Sequence, residues 1–107
     1  MGLVARVIEQ AGIPTVTVNM MPAYQRLVGA PRVAAVAHPL GRPFGDVDDT
    51  ERQRGVLRAA LELFRTAKEP GAVAHLPFEW HQDPRATKWE PDEPSPIVAL
   101  MKRRGAL

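Results

Sequence analysis

The chain has 107 residues, 45% of them apolar and 24% charged, with a net charge of +2 and no cysteine. That profile fits one soluble domain with a modest core. It excludes disulfides, thiolate nucleophiles, iron–sulfur clusters and zinc ribbons within the chain. Basic residues are scattered and aromatics make up only 6%, which gives no basis for a nucleic-acid partner. There is no signal-like N-terminus and no apolar run long enough to span a bilayer, so no membrane partner and a cytoplasmic location are expected.

In chain order, Leu3, Val4, Ile8 and Ala11 recur at helical spacing, with Arg6, Glu9 and Gln10 on the other side. Gly12 suits a left-handed helix stop and Pro14 forbids continuation. "IPTVTV" is β-branched at nearly every position and predicts a buried strand ending at Asn19. Pro22 suits the first turn of a short second helix that Gly29 can stop. Residues 32–37, apolar after Arg32, predict a second strand covered on both faces.

"LGRPFGDVDDT" is a loop punctuated by Gly and Pro. The longest helix is predicted over 49–68, capped by Asp48 with Glu51 three residues on. Val56, Leu57, Ala60, Leu61, Phe64 and Ala67 form its expected apolar stripe. Pro70 and Gly71 end it. Residues 72–78 predict a third strand or an extended segment at the sheet edge, since Pro77 is unsuited to a long central strand. Residues 79–96 read as an extended arm with four prolines and two tryptophans. "SPIVALMKRR" closes the chain as a short helix, capped by Ser95 with Pro96 at its first position.

The predicted fold class is α/β: a small parallel sheet of two to three strands with crossover helices, a Pro-rich C-terminal arm and a short terminal helix. Residues 1–78 form the α/β domain and 79–107 the arm and helix. So thin a sheet needs its edges and faces shielded. A second subunit or another copy of the chain is therefore expected to cover part of it.

Ligands in open α/β sheets bind beyond the carboxyl ends of the strands. Asn19 lies at one such end, and His38 opens the loop at the next, with Arg42 and Asp46 further along it. Asn19, His38 and Arg42 are the candidate ligand-binding residues, and His38 and Asp46 a candidate acid–base pair. Capping of the following helix accounts fully for Asp46, Asp48 and Asp49 and is the favoured reading of these acids. His38, His75 and His81 share no local ligand spacing, and no metal site is assigned. "GRPFG" lacks the phosphate-loop and dinucleotide patterns. Ser95, the only serine, is accounted for as a cap, so no serine triad is assigned. Trp80 and Trp89 are candidate anchors for the arm, on its own domain or across an interface. Lys102, Arg103 and Arg104 suit a helix C-terminus.

"GLVARVIEQAGIPTV", "PRVAAVAHPLGRPFGD", "QRGVLRAALELF", "LPFEW" and "EPSPIV" appear in order along most of the chain. Together they resemble the B component of the glycine, sarcosine, betaine and D-proline reductases. The resemblance implies reductive cleavage of a carbon–nitrogen bond in a small amino acid or betaine. It implies a selenocysteine or cysteine just ahead of the "GLVAR" helix, and a partner subunit with a pyruvoyl group. No position here matches that redox residue. The resemblance therefore implies a small subunit of a heteromeric oxidoreductase that supplies scaffold and pocket walls, with no cofactor held by this chain and an amine or amino-acid-like ligand. A non-catalytic homo-oligomeric binding module of the same fold is the alternative.

Overall fold

A computed structural model describes residues 1–88 and 92–106 of the chain. Trp89 and Pro91 of the arm lie outside the described residues. The order of elements is α1 (Gly2–Gln10), β1 (Thr17–Asn19), α2 (Pro22–Leu27), β2 (Arg32–Ala35), α3 (Thr50–Thr66), β3 (Ala72–His75), a 3₁₀ turn (Pro84–Ala86) and α4 (Pro96–Arg103). The strands form one parallel sheet in the order β1-β2-β3. This is the small parallel α/β fold expected from the sequence, with its C-terminal helix. Among the described residues, no helix is long and apolar enough to cross a membrane.

β2 is the covered centre. Val33, Ala34, Ala35 and Val36 are all buried, as their unbroken apolar run requires. Register aligns Val18, Ala34 and Ala74 across the sheet. Ala60 and Leu63 of α3 pack on Ala34, with Val16, Val18, Ala74 and Leu76 around them. That layer is one half of a small core.

Several local expectations are corrected. β1 is shorter than "IPTVTV" and only half-buried. The Thr15 backbone N–H is taken by the Glu9 carboxylate at 2.5 Å, which draws Thr15 out of the ladder. Asp49, not Asp48, caps α3: its carboxylate accepts the Arg52 N–H at 3.0 Å. Asp48 stands one residue earlier at φ 60°. The buried row of α3 is Val56, Ala60 and Leu63. Leu57, Leu61 and Phe64 of the expected stripe face outward. Ser95 occupies the N-cap of α4, but its side chain makes no capping hydrogen bond.

Two glycines set how α1 joins the body. Gly12, at φ 87°, takes the left-handed turn between α1 and β1. At Gly2 a Cβ would stand 2.5 Å from Val28 Cγ2, so α1 lies close on the α2 exit because Gly2 lacks one.

Candidate functional site

His38 stands three residues beyond the end of β2 and is buried, the one buried polar side chain among the described residues. Its Nδ1 lies 3.0 Å from the Pro43 carbonyl. A carbonyl only accepts, so Nδ1 carries the proton and donates it. In the neutral ring, Nε2 is then the acceptor. Nε2 is buried and has no hydrogen-bond partner among the described residues. Buried polar atoms are rarely left so, which makes His38 the residue to explain.

The loop after β2 is built to hold this ring. The Arg42 N–H bonds the Pro39 carbonyl, and the Gly45 N–H bonds the Arg42 carbonyl. These two tight turns bring Pro43 back over His38. Gln53 of α3 ties the loop down through the Asp46 carbonyl at 3.0 Å. From the other side comes Trp80, its ring 5.4 Å from the imidazole. The Trp80 indole N–H donates to Thr87 Oγ1 at 2.8 Å, so the arm folds over its own tryptophan. Arg52 fastens the root of the arm, donating to the Glu79 carbonyl at 2.8 Å with its guanidinium over Phe78.

His38 lines a cleft of about 650 Å³ with Met20, Met21, Val36, Ala37, Pro39, Leu40, Pro84 and Arg85. The cleft lies at the carboxyl ends of β1 and β2, is largely apolar, and gains one cation from the arm. That is the make-up of a small-molecule site. The other residues singled out in the sequence stand apart from the imidazole. The Asn19 side chain accepts the Met21 N–H at 2.5 Å and shapes the turn into α2. Arg42 faces Asp46 at 3.7 Å, and Asp46 also accepts the Val47 N–H. Among the described residues no hydrogen bond joins His38 to Asp46 or Arg42.

Arg85 escaped sequence reasoning. It sits in a Pro-Arg-Ala turn of the arm, and nothing in its local pattern points to His38. Trp80 was read as an anchor, and the structure sets it against His38. A second hollow, of about 360 Å³, runs along β1 and is lined by Met1, Val4, Ala5, Ile8 and residues 15–18, with Phe44 from the His38 loop. The N-terminal end of α1 therefore borders that loop. Among the described residues, no cluster of three or more His, Asp or Glu could hold a metal ion.

A D-proline reductase subunit gamma from Acetoanaerobium sticklandii is similar to this chain, with 31% identity over 78 residues. The match takes in 73% of this chain and 32% of that protein, so the chain spans about a third of the length of the curated relative it matches. No family model matches the chain. No solved structure matches it either.

The polar cluster opposite, at the amino ends of the strands, has a structural role. Arg32 Nη1 meets the Glu9 carboxylate at 2.5 Å, and the Thr15 hydroxyl adds a bond at 3.2 Å. The Thr15 backbone N–H holds the Glu9 carboxyl below the usual carboxylate range. Partial burial works the other way, and the Thr15 hydroxyl and Arg32 add to the lowering. This cluster ties α1 to both strands.

Proposed function

We propose that the chain is a subunit of a heteromeric reductase that cleaves a carbon–nitrogen bond in a small amino-acid-like substrate. It supplies pocket walls at the carboxyl ends of its sheet and no redox group. The observation that carries this is the buried His38, which lines an apolar cleft and whose Nε2 has no partner among the described residues. The similarity to a D-proline reductase subunit supports the reductase reading. With Nδ1–H committed to Pro43, Nε2 asks its ligand for a hydrogen-bond donor, such as the N–H of an amine. Arg85 at the cleft offers a counter-charge to a carboxylate. Cleaving C–N to C–H and N–H consumes an electron pair and two protons. A chain without cysteine takes that pair from a group outside these 107 residues. A thiolate brought beside the N-terminal end of α1 would border the His38 loop and gain from the helix dipole.

The test is co-expression with the products of adjacent genes, purification of the complex, and assay of D-proline reduction. His38→Phe keeps an aromatic ring and removes Nε2 together with the Nδ1–H that holds the Pro43 carbonyl. It should leave the complex intact and lower affinity for D-proline about tenfold or more. Cyclopentanecarboxylate, which lacks the amine, should bind the parent and the variant alike. Equal affinity of parent and His38→Phe for D-proline would overturn the pocket assignment. Absence of any complex would overturn the subunit assignment. The second reading, a non-catalytic homo-oligomeric binding module, is favoured by the exposed apolar face of α1. Reductase activity in a purified complex would dismiss it.

A further inference from the structure

We infer that a second copy of this chain covers the outer face of α1 and the open edge of β1, forming a two-fold dimer with a continuous sheet. The helix is mounted on its small residues Gly2 and Ala5, which are buried, with polar ties at its flanks. Arg6 donates to the Val28 carbonyl at 3.3 Å, and Glu9 binds Thr15 and Arg32. Its apolar residues face out: Leu3 is 61% exposed, Val4 50%, Val7 65% and Ile8 37%. At 100° per residue these four span an arc of about 140° with no charge inside it. Ile13, 60% exposed, and Phe44, 38%, extend the surface.

The edge beside this arc is open. The Asn19 carbonyl accepts the Val36 N–H. In a parallel ladder the N–H and C=O of one residue face the same neighbour and alternate along the strand. Thr17 and Asn19 therefore face β2, and Val16 and Val18 present their backbone groups to the free edge. From Val16 to Asn19 it carries no Lys, no Pro and no charged side chain, and the shortness of the three-residue strand is its one protection.

The occupant follows from charge, area and symmetry. A patch without charge requires no complementary charge from its partner, so an identical patch satisfies it. The other exposed apolar row, Leu57, Leu61 and Phe64 on α3, runs beside Arg54, Arg58 and Arg65, where a second copy would set like charges together. The six exposed residues on and around α1 offer roughly 600 Å² of each protomer, near the ~800 Å² per partner of a standard interface, with the strand edge making up the difference. A two-fold axis normal to the sheet pairs β1 with β1 antiparallel. The same axis lays α1 on α1 on one side of the sheet, so both open surfaces close in one contact.

The inference stands apart from the reductase reading, and failure of either leaves the other in place. Light scattering on the purified 107-residue chain should give twice the 11.8 kDa protomer mass at micromolar concentration. Leu3→Asp and Val7→Asp should each give a monomer with unchanged far-UV circular dichroism. Because the chain has no cysteine, Val7→Cys offers a test that does not depend on tolerating a charge. Mild oxidation should link two Val7→Cys chains covalently and leave Leu57→Cys chains single. Val16 and Val18 amides should be protected from hydrogen exchange in the parent and lose that protection in Val7→Asp. A monomeric parent overturns the inference. So does a dimer that survives both Asp variants, or one that cross-links through Leu57→Cys and not through Val7→Cys.

Discussion

α1 and α3 both carry a helical apolar periodicity, yet they meet the sheet in opposite ways. α3 presses Ala60 and Leu63 onto Ala34 and turns Arg54, Arg58 and Arg65 outward. α1 is held by Gly2, Ala5 and the polar ties of Arg6 and Glu9, and turns its valines and leucine outward. The contrast separates two pieces of information that a periodic pattern merges. Periodicity says that one face of a helix wants cover. Only the sheet says whether the cover belongs to the same chain.

The largest expected effect lies on α3. Leu63 is 6% exposed, and Leu63→Ala should cost about 2–4 kcal/mol of stability by urea denaturation. The same truncation on the outward arc of α1, Val7→Ala, should leave protomer stability within about 0.5 kcal/mol in the Leu3→Asp background, where the dimer is already broken. A loss at Val7 as large as that at Leu63 would mean that the arc is covered within the protomer, and the contrast between the helices would fail.

The polar mounting of α1 predicts the next effect. Glu9→Gln removes the charge that Thr15 and Arg32 bind and should cost about 1–2 kcal/mol at neutral pH. Its pH dependence has a definite sign. The folded Glu9 carboxyl lies below its unfolded value, so between the two values the unfolded chain binds more protons and stability rises with pH. The contribution is complete above the ordinary carboxylate range and is lost as pH falls through the folded value. Urea midpoints across the acid limb should therefore fall more steeply in the parent than in Glu9→Gln. Parallel limbs would show that α1 is held by something other than this cluster.

Much of the scaffold was legible in the chain because its punctuation is local. Gly12, Pro22, Gly29 and Pro70-Gly71 each fix one end of an element, and β2 declared itself as a two-sided strand by its unbroken apolar run. The phase of α3 was not legible. Leu57, Leu61, Leu63 and Phe64 spread over about 160° of the helix circumference, and only the position of Ala34 selects Leu63. The start of β1 was hidden for a similar reason, since a glutamate on α1 captures Thr15. At the site, His38 could be placed because strand ends are where such sheets hold ligands. Arg85 could not, because an arm folded through Trp80 brings it there and no periodicity spans that distance.

A smaller effect tests where α3 begins. Asp49→Ala should cost about 1 kcal/mol, since it deletes the acceptor for the Arg52 N–H, while Asp48→Ala deletes no cap. Asp48→Gly is the sharper partner variant. Asp48 sits at φ 60°, where glycine is unstrained, so the exchange should be neutral or raise stability by a few tenths of a kcal/mol. Reversal of the two positions would put the cap back at Asp48 and start the helix one residue earlier. The pair Asp48 and Asp49 thus reports where α3 begins from its exposed end, without touching the core that Val56, Ala60 and Leu63 form.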